Sequence, residues 1–169
     1  MVPFALPATS GDQVSTDQFG DRAVLGVVFW CNHCPYVRAW EDRFLAIARE
    51  YAGRGVQMVL INSNDPVAYP DDSFDAMRMR AQEKGYPCPY VFDETQQVAR
   101  QYGATRTPEV FLFDRERVLR YHGAIDDNFE DPAAVTSHYL RDALEALLAG
   151  RSPAVTTTPP KGCTIKWRA

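Results

Sequence analysis

Cysteine is scarce in this chain, with 4 among 169 residues. That is too few, in too long a chain, for a small secreted scaffold held together by disulfides. Long apolar runs are missing as well. The longest, Ala23 to Cys31, falls far short of the ~20 residues needed to cross a bilayer, so no membrane role is expected. Positive charge is sparse and unclustered: the net charge is −4, and only three of the 18 basic residues are lysine. Without a basic stripe, nucleic acid is not an expected partner. The opening Met1-Val-Pro-Phe-Ala-Leu-Pro7 has neither the basic region nor the apolar core of an export signal, which points to a cytoplasmic protein. No repeat of 20 to 50 residues is present, which excludes solenoids and propellers. Low complexity is confined to Thr156-Thr-Thr-Pro-Pro160. What remains is an ordinary globular composition, 46% hydrophobic and 24% charged, of a length expected to form one domain over residues 1–169.

The hydrophobic pattern changes period along the chain. Phe4-Ala-Leu-Pro7 and Gln13-Val-Ser15, separated by Ser10-Gly-Asp12, predict a hairpin within an N-terminal extension over 1–20. Ala23 to Trp30 and Val56 to Ile61 predict strands buried on both faces. Between them, Val37, Trp40, Phe44, Ile47 and Ala48 recur at helical spacing from Pro35 to the glycines at 53 and 55. Further helices are expected over Ser73–Lys84, Thr95–Tyr102 and Ala133–Ala149, with strands at 89–93, 110–113 and 118–121. Residues 151–169 are expected to be a flexible tail. Alternating strands and helices that end in an antiparallel pair make an α/β three-layer sandwich around a mixed central sheet of about five strands.

The chemistry-bearing residues are Cys31 and Cys34, in Trp30-Cys-Asn-His-Cys-Pro35, where a buried strand hands over to a helix. Free N–H groups and the positive dipole end at a helix N-terminus stabilise a thiolate there. His33 lies between the two as a tuner of their pKa. A structural zinc site needs two more ligands, yet no second CxxC or HxxxH exists, so no metal is assigned. A c-type haem needs histidine directly after the second cysteine, and Pro35 stands there. Redox chemistry remains. Either cysteine is a candidate nucleophile. Proline suits the first helical position, which makes Cys34 the N-cap and favours it as nucleophile, with Cys31 as partner.

Taken together, these segments resemble the thioredoxin-like superfamily. Within it they resemble the peroxiredoxin-like branch of the alkyl hydroperoxide reductase/thiol-specific antioxidant group, in a CxxC-bearing subfamily. The likeness is carried by Phe4-x-Leu-Pro7 with Gly11, by Phe29-Trp-Cys-Asn-His-Cys-Pro-Tyr-Val37 and by Tyr102-Gly-Ala-Thr-Arg-Thr-Pro108 running into Val110–Asp114. Gly123-x-Ile-Asp-Asp127 and Gly162-Cys-Thr-Ile-Lys-Trp167 add to it. It implies a thioredoxin-like α/β/α fold and a cis bond at Thr107–Pro108. That bond would leave the backbone before it free to pair with an extended substrate. Trp30 and Tyr36 are candidates for a docking face beside it.

The chain departs from these relatives in two respects. The group's peroxidases carry a proline seven residues and a Thr or Ser three residues before the reactive cysteine. Counting back from Cys34 gives Val27 and Cys31; from Cys31, Val24 and Val28. The buried acid that thioredoxin carries ahead of its Phe-Trp is also missing, with Val28 in that neighbourhood.

The expected function is thiol–disulfide exchange on a protein or small-molecule disulfide, with electrons from a dithiol donor such as a thioredoxin and no cofactor. The alternatives are a low-efficiency thiol peroxidase with antioxidant activity, a non-catalytic thioredoxin-like binding module, or a carrier of a soft metal on Cys31, Cys34 and His33. Cys163 is a candidate resolving thiol. Cys88 reads as a small packing residue, His122 and His138 as surface or packing residues, and Asp71-Asp72 and Asp126-Asp127 as solvated turns or caps.

Overall fold

A computed structural model describes residues 1–169. The N-terminal hairpin forms as the pattern requires, with β1 (Ala5–Pro7) antiparallel to β2 (Gln13–Ser15). The body follows as β3 (Val24–Phe29), α1 (Pro35–Ala52), β4 (Val56–Asn62), α2 (Phe74–Lys84), β5 (Tyr90–Phe92) and α3 (Gln97–Tyr102). It closes with β6 (Arg106–Thr107), β7 (Glu109–Phe113), β8 (Leu119–Gly123), α4 (Tyr139–Leu148) and β9 (Cys163–Thr164). Five strands make the central sheet in the order β5-β4-β3-β7-β8. Val24–Phe29 and Val56–Ile61 are parallel neighbours, while β7 and β8 run antiparallel on the other side. This is a thioredoxin-like α/β/α sandwich.

Strand alternation explains why β3 carries no polar residue. Val24 and Val28 point into one core with Trp40, Phe44 and Tyr51 of α1, Met77 of α2, and Leu140 and Leu144 of α4. Leu25, Val27 and Phe29 point into a second core with Val98 and Ala99 of α3, Phe4 and Val14 of the hairpin, and Ile165 of the tail. All six β3 residues are buried, so each face needs its own apolar set. The N-terminal extension and the tail thus complete the layer that the short helix α3 leaves thin.

Several expectations need correction. The helix predicted over Ala133–Ala149 begins only at Tyr139. Pro132–Ala134 form a separate 3₁₀ turn capped by the Asp131 carboxylate, and the Asp127 carboxylate takes both the backbone N–H and the hydroxyl of Thr136. Side chains thus claim the backbone that the apolar spacing assigned to helix. Nor is the tail loose. Thr158 donates its N–H to His122 O at 2.9 Å, and Lys166 donates its N–H to Asn64 Oδ1 at 2.8 Å. Asp126 is not a solvated turn either: it is buried, accepting from Trp40 Nε1 and Arg43.

Candidate active site

The redox segment sits where β3 ends and α1 begins. Pro35 occupies the first turn of α1 and Cys34 is its N-cap, in extended conformation (φ −64°, ψ 127°). A pyrrolidine at N1 has no N–H to orphan, so the helix starts there at no cost in hydrogen bonding. Thr107–Pro108 is cis, as the motif predicted, and the loop carrying it meets the cysteines. Cys31 Sγ lies 3.3 Å from Thr107 Oγ1, and Cys34 Sγ lies 3.3 Å from the Thr107 carbonyl.

The two thiols have opposite tendencies. The Cys31 S–H donates to the Cys34 sulfur, and the backbone N–H groups of Val37 and Cys163 also favour the charged form. Together they lower the Cys34 pKa to about 4 despite burial. Cys31 goes the other way: the same hydrogen bond, burial and the negative charge of Asp72 raise its pKa well above the ordinary thiol value. As a pair they hold one proton between two sulfurs, with Cys34 as the thiolate.

Beneath the motif lies an acid that sequence reading placed in solvent. Asp72 is fully buried. One carboxylate oxygen accepts the Asn32 N–H at 2.7 Å and Asn62 Nδ2 at 3.2 Å. The other accepts Asn64 Nδ2 at 2.9 Å and meets His33 Nδ1. No local pattern marks Asp72, because its partners come from the strand–helix loop and from the end of β4. It places a buried acid within 4.8 Å of the Cys31 sulfur from a different part of the chain. A second buried acid, Glu109, follows the cis proline. It accepts the N–H groups of Thr105 and Arg106 at 2.8 and 2.9 Å and pairs with His122 Nε2 at 2.6 Å, fixing the loop that presents Thr107.

Other candidates separate. His33 is half-buried and stacks on Tyr69, with ring centroids 5.6 Å apart. Trp30 is fully buried and donates Nε1–H to Tyr86 OH at 3.0 Å, so it packs the core instead of lining a docking face. Tyr36 is half-buried against Phe129. His138 is exposed at the start of α4, and Cys88 packs at the edge of the main core. A cavity of about 910 Å³, lined by residues that include Ser10, Gln82, Tyr86 and Cys88, lies away from the cysteine pair.

The backbone edge expected to be free for substrate is occupied: β6 pairs antiparallel with β9, Thr107 opposite Cys163. The tail thus brings Cys163 to Cys34. For a metal, the atoms within 4.8 Å of one another belong to Cys31, His33 and Asp72, not to the set of Cys31, Cys34 and His33. Both Asp72 oxygens there already accept hydrogen bonds.

A family model, the AhpC/TSA family, matches residues 1–122. The chain belongs to the AhpC/TSA family. A hypothetical protein of Sinorhizobium meliloti is 40% identical over 99% of this chain and 92% of its own, with TM-score 0.94. An uncharacterized conserved protein of Geobacillus kaustophilus is 41% identical over 99% of this chain and 89% of its own, with TM-score 0.93. The peroxidoxin BcpB of Mycobacterium tuberculosis shares the fold at 17% identity, TM-score 0.66, over 89% of this chain and 94% of its own. No curated protein matches. Membership of the AhpC/TSA family makes this a thioredoxin-like chain of an oxidoreductase family. No helix in it is long and apolar enough to cross a membrane.

Proposed function

We propose that this AhpC/TSA protein is a thiol–disulfide oxidoreductase with Cys34 as nucleophile and Cys31 as partner. The observation that carries the reading is the Cys34 sulfur at the N-cap of α1, accepting a hydrogen bond from the Cys31 S–H and lying beside Thr107. The Cys34 thiolate attacks a sulfur of a protein or small-molecule disulfide, and one half leaves as a thiolate. Cys31 then attacks the Cys34 sulfur, releases the second half and closes the Cys31–Cys34 disulfide. Cys31 must first lose its proton, and the His33 and Asp72 side chains lie within 4.8 Å of its sulfur. A dithiol donor returns the pair to the reduced state. Stabilising the Cys34 thiolate stabilises the reduced form, which favours a couple more oxidising than the about −270 mV of thioredoxin.

The test is insulin reduction driven by dithiothreitol, together with trapping of intermediates. The Cys34→Ser variant should lose activity, and the double variant Cys31→Ser/Cys163→Ser, in which no neighbouring thiol is left to resolve it, should accumulate a mixed disulfide at Cys34. Trapping in Cys34→Ser, at Cys31, would reverse the two roles. A second reading, a thiol peroxidase, is favoured by one observation: Cys34 has no exposed surface, and the peptide-pairing edge beside it is filled. Peroxide consumption that matches or exceeds disulfide reduction would select it.

A further inference from the structure

Three sulfurs meet at the cysteine corner, and the outermost belongs to the tail. Cys163 is partly exposed, whereas Cys31 and Cys34 are 1% and 0% exposed. Its backbone pairs with Thr107, whose hydroxyl lies 3.3 Å from the Cys31 sulfur and whose carbonyl lies 3.3 Å from the Cys34 sulfur, so that the Cys34 and Cys163 thiols perturb each other's ionisation.

The chain holds it there from both sides. Upstream, the Thr158 hydroxyl accepts the Ala124 N–H at 2.9 Å. Downstream, Ile165 is buried and donates its N–H to Thr105 O at 2.9 Å, and the Lys166 carbonyl accepts Asp65 N–H at 2.8 Å and Gln96 Nε2 at 2.9 Å. At both crossings a glycine, Gly162 of the tail itself and Gly123 opposite the tail, allows an approach so close that a side chain would not fit. A Cβ on Gly162 would stand 2.0 Å from Thr107 O, and one on Gly123, whose φ is +149°, would stand 2.0 Å from Thr158 Oγ1. Such contacts on each side of Cys163 describe a built strap, with the thiol placed where a substrate strand would lie.

We propose that Cys163 is a relay thiol, which carries the disulfide from the buried Cys31–Cys34 pair to the surface as a Cys34–Cys163 bond, where an external dithiol reduces it. This rests on the reading that Cys34 cycles through a disulfide. The relay step is an internal exchange. The Cys163 sulfur attacks Cys34 in the Cys31–Cys34 disulfide, the Cys34–Cys163 bond forms, and Cys31 leaves and takes up the proton that Cys163 gives up. A donor thiolate then attacks the accessible Cys163 sulfur and expels Cys34. The donor's second thiol attacks its own sulfur in the mixed disulfide, so that Cys163 is freed and the donor is oxidised. The low pKa of Cys34 makes it the better leaving group in the donor's attack, since a thiol of lower pKa departs faster.

The test uses the full chain, an aromatic disulfide in one molar equivalent, and peptide mass spectrometry without reduction. In Cys31→Ser, the aromatic disulfide should release two thiolates per protein and leave a Cys34–Cys163 cross-linked peptide. The double variant Cys31→Ser/Cys163→Ser should release one and stop as a Cys34 mixed disulfide. A Cys31→Ser protein that also stops at one, with Cys163 reduced, overturns the relay. Reduction of oxidised wild-type protein by a thioredoxin-type donor gives a second readout that does not depend on the Cys31 variant. It should slow at least tenfold in Cys163→Ser, and equal rates overturn the relay. If wild-type Cys34 forms no disulfide at all, the proposed function falls and the relay with it. If wild type closes Cys31–Cys34 while Cys163 never cross-links, only the relay falls.

Discussion

Two cysteines in this chain directly precede prolines, and the protein drives their thiols in opposite directions. Cys34 precedes Pro35 at the start of a helix, and its pKa falls to about 4. Cys88 precedes Pro89 at the entrance to a strand, where burial pushes its pKa up to about 12 and distant Arg49 barely offsets it. Being surrounded by protein therefore does not decide whether a cysteine is a thiolate. What decides it is whether donors converge on the sulfur. Cys34 has two neighbouring thiols, those of Cys31 and Cys163, and two backbone N–H groups, whereas Cys88 has none in a like position. The same dipeptide favours a thiolate in one place and a protonated thiol in the other.

The largest way to break this contrast is to remove the acid beneath the corner. Asp72→Asn puts an amide among four donors in a buried site, leaving donors facing one another, and should cost roughly 3 kcal/mol of stability. If the protein still folds, Cys31 should titrate lower than in wild type, because the Asp72 charge that raises it is gone. Chemical denaturation and thiol titration read the two effects. Loss of stability without any change in Cys31 would mean that Asp72 is only structural.

Labelling tests the contrast itself. At pH 6 Cys34 is nearly all thiolate, while a thiol of pKa about 12 is ionised about once in 10⁶. Intrinsic nucleophilicity falls with pKa at a slope of about 0.4–0.5, which returns some of the difference and leaves Cys34 about 100-fold faster. Iodoacetamide labelling, read site by site, should be flat in pH for Cys34 between pH 6 and 8. For Cys88 it should rise about tenfold per unit. Labelling at Cys34 that climbs with pH like an ordinary thiol's would remove the thiolate from the picture.

A smaller effect follows for stability. Because the folded pKa of Cys34 lies below the 9.0 of an unfolded thiol, its ionisation adds stability that is complete above about pH 9 and lost as pH falls through about 4. The raised Cys31 works in the opposite sense, at alkaline pH only. Reduced wild-type protein should therefore lose more stability than Cys34→Ser when pH is lowered from 7 to 4, as urea titrations at each pH would measure. The smallest effect is at the other cysteine: Cys88→Ala should cost roughly 1 kcal/mol and leave the reduction potential of the cysteine pair unchanged.

Local pattern was enough for β3, β4 and α1. Alternation and helical spacing reflect which faces must be buried, and that is set residue by residue along the chain. The Cys34 N-cap was legible for a similar reason: where a proline fits in a helix is a local steric matter. The α4 boundary was not, because Asp127 and Asp131 bind backbone that the apolar spacing assigns to helix. Nor was the burial of Trp30, which reads from sequence as an aromatic available for docking.

By itself, then, the sequence determined the sandwich and the strand-to-helix junction at Cys31–Pro35, and its family resemblance implied the cis Thr107–Pro108 loop beside it. Tertiary structure alone decided that Asp72 is the buried acid beneath the cysteines and that the tail carrying Cys163 closes the edge beside Thr107. Both depend on contacts between segments far apart in the chain, Asn32 with Asp72 and Thr107 with Cys163. Such contacts leave no periodic trace, because a hydrogen bond or a thiol contact needs only one residue from each segment, whereas a buried face needs a repeating set.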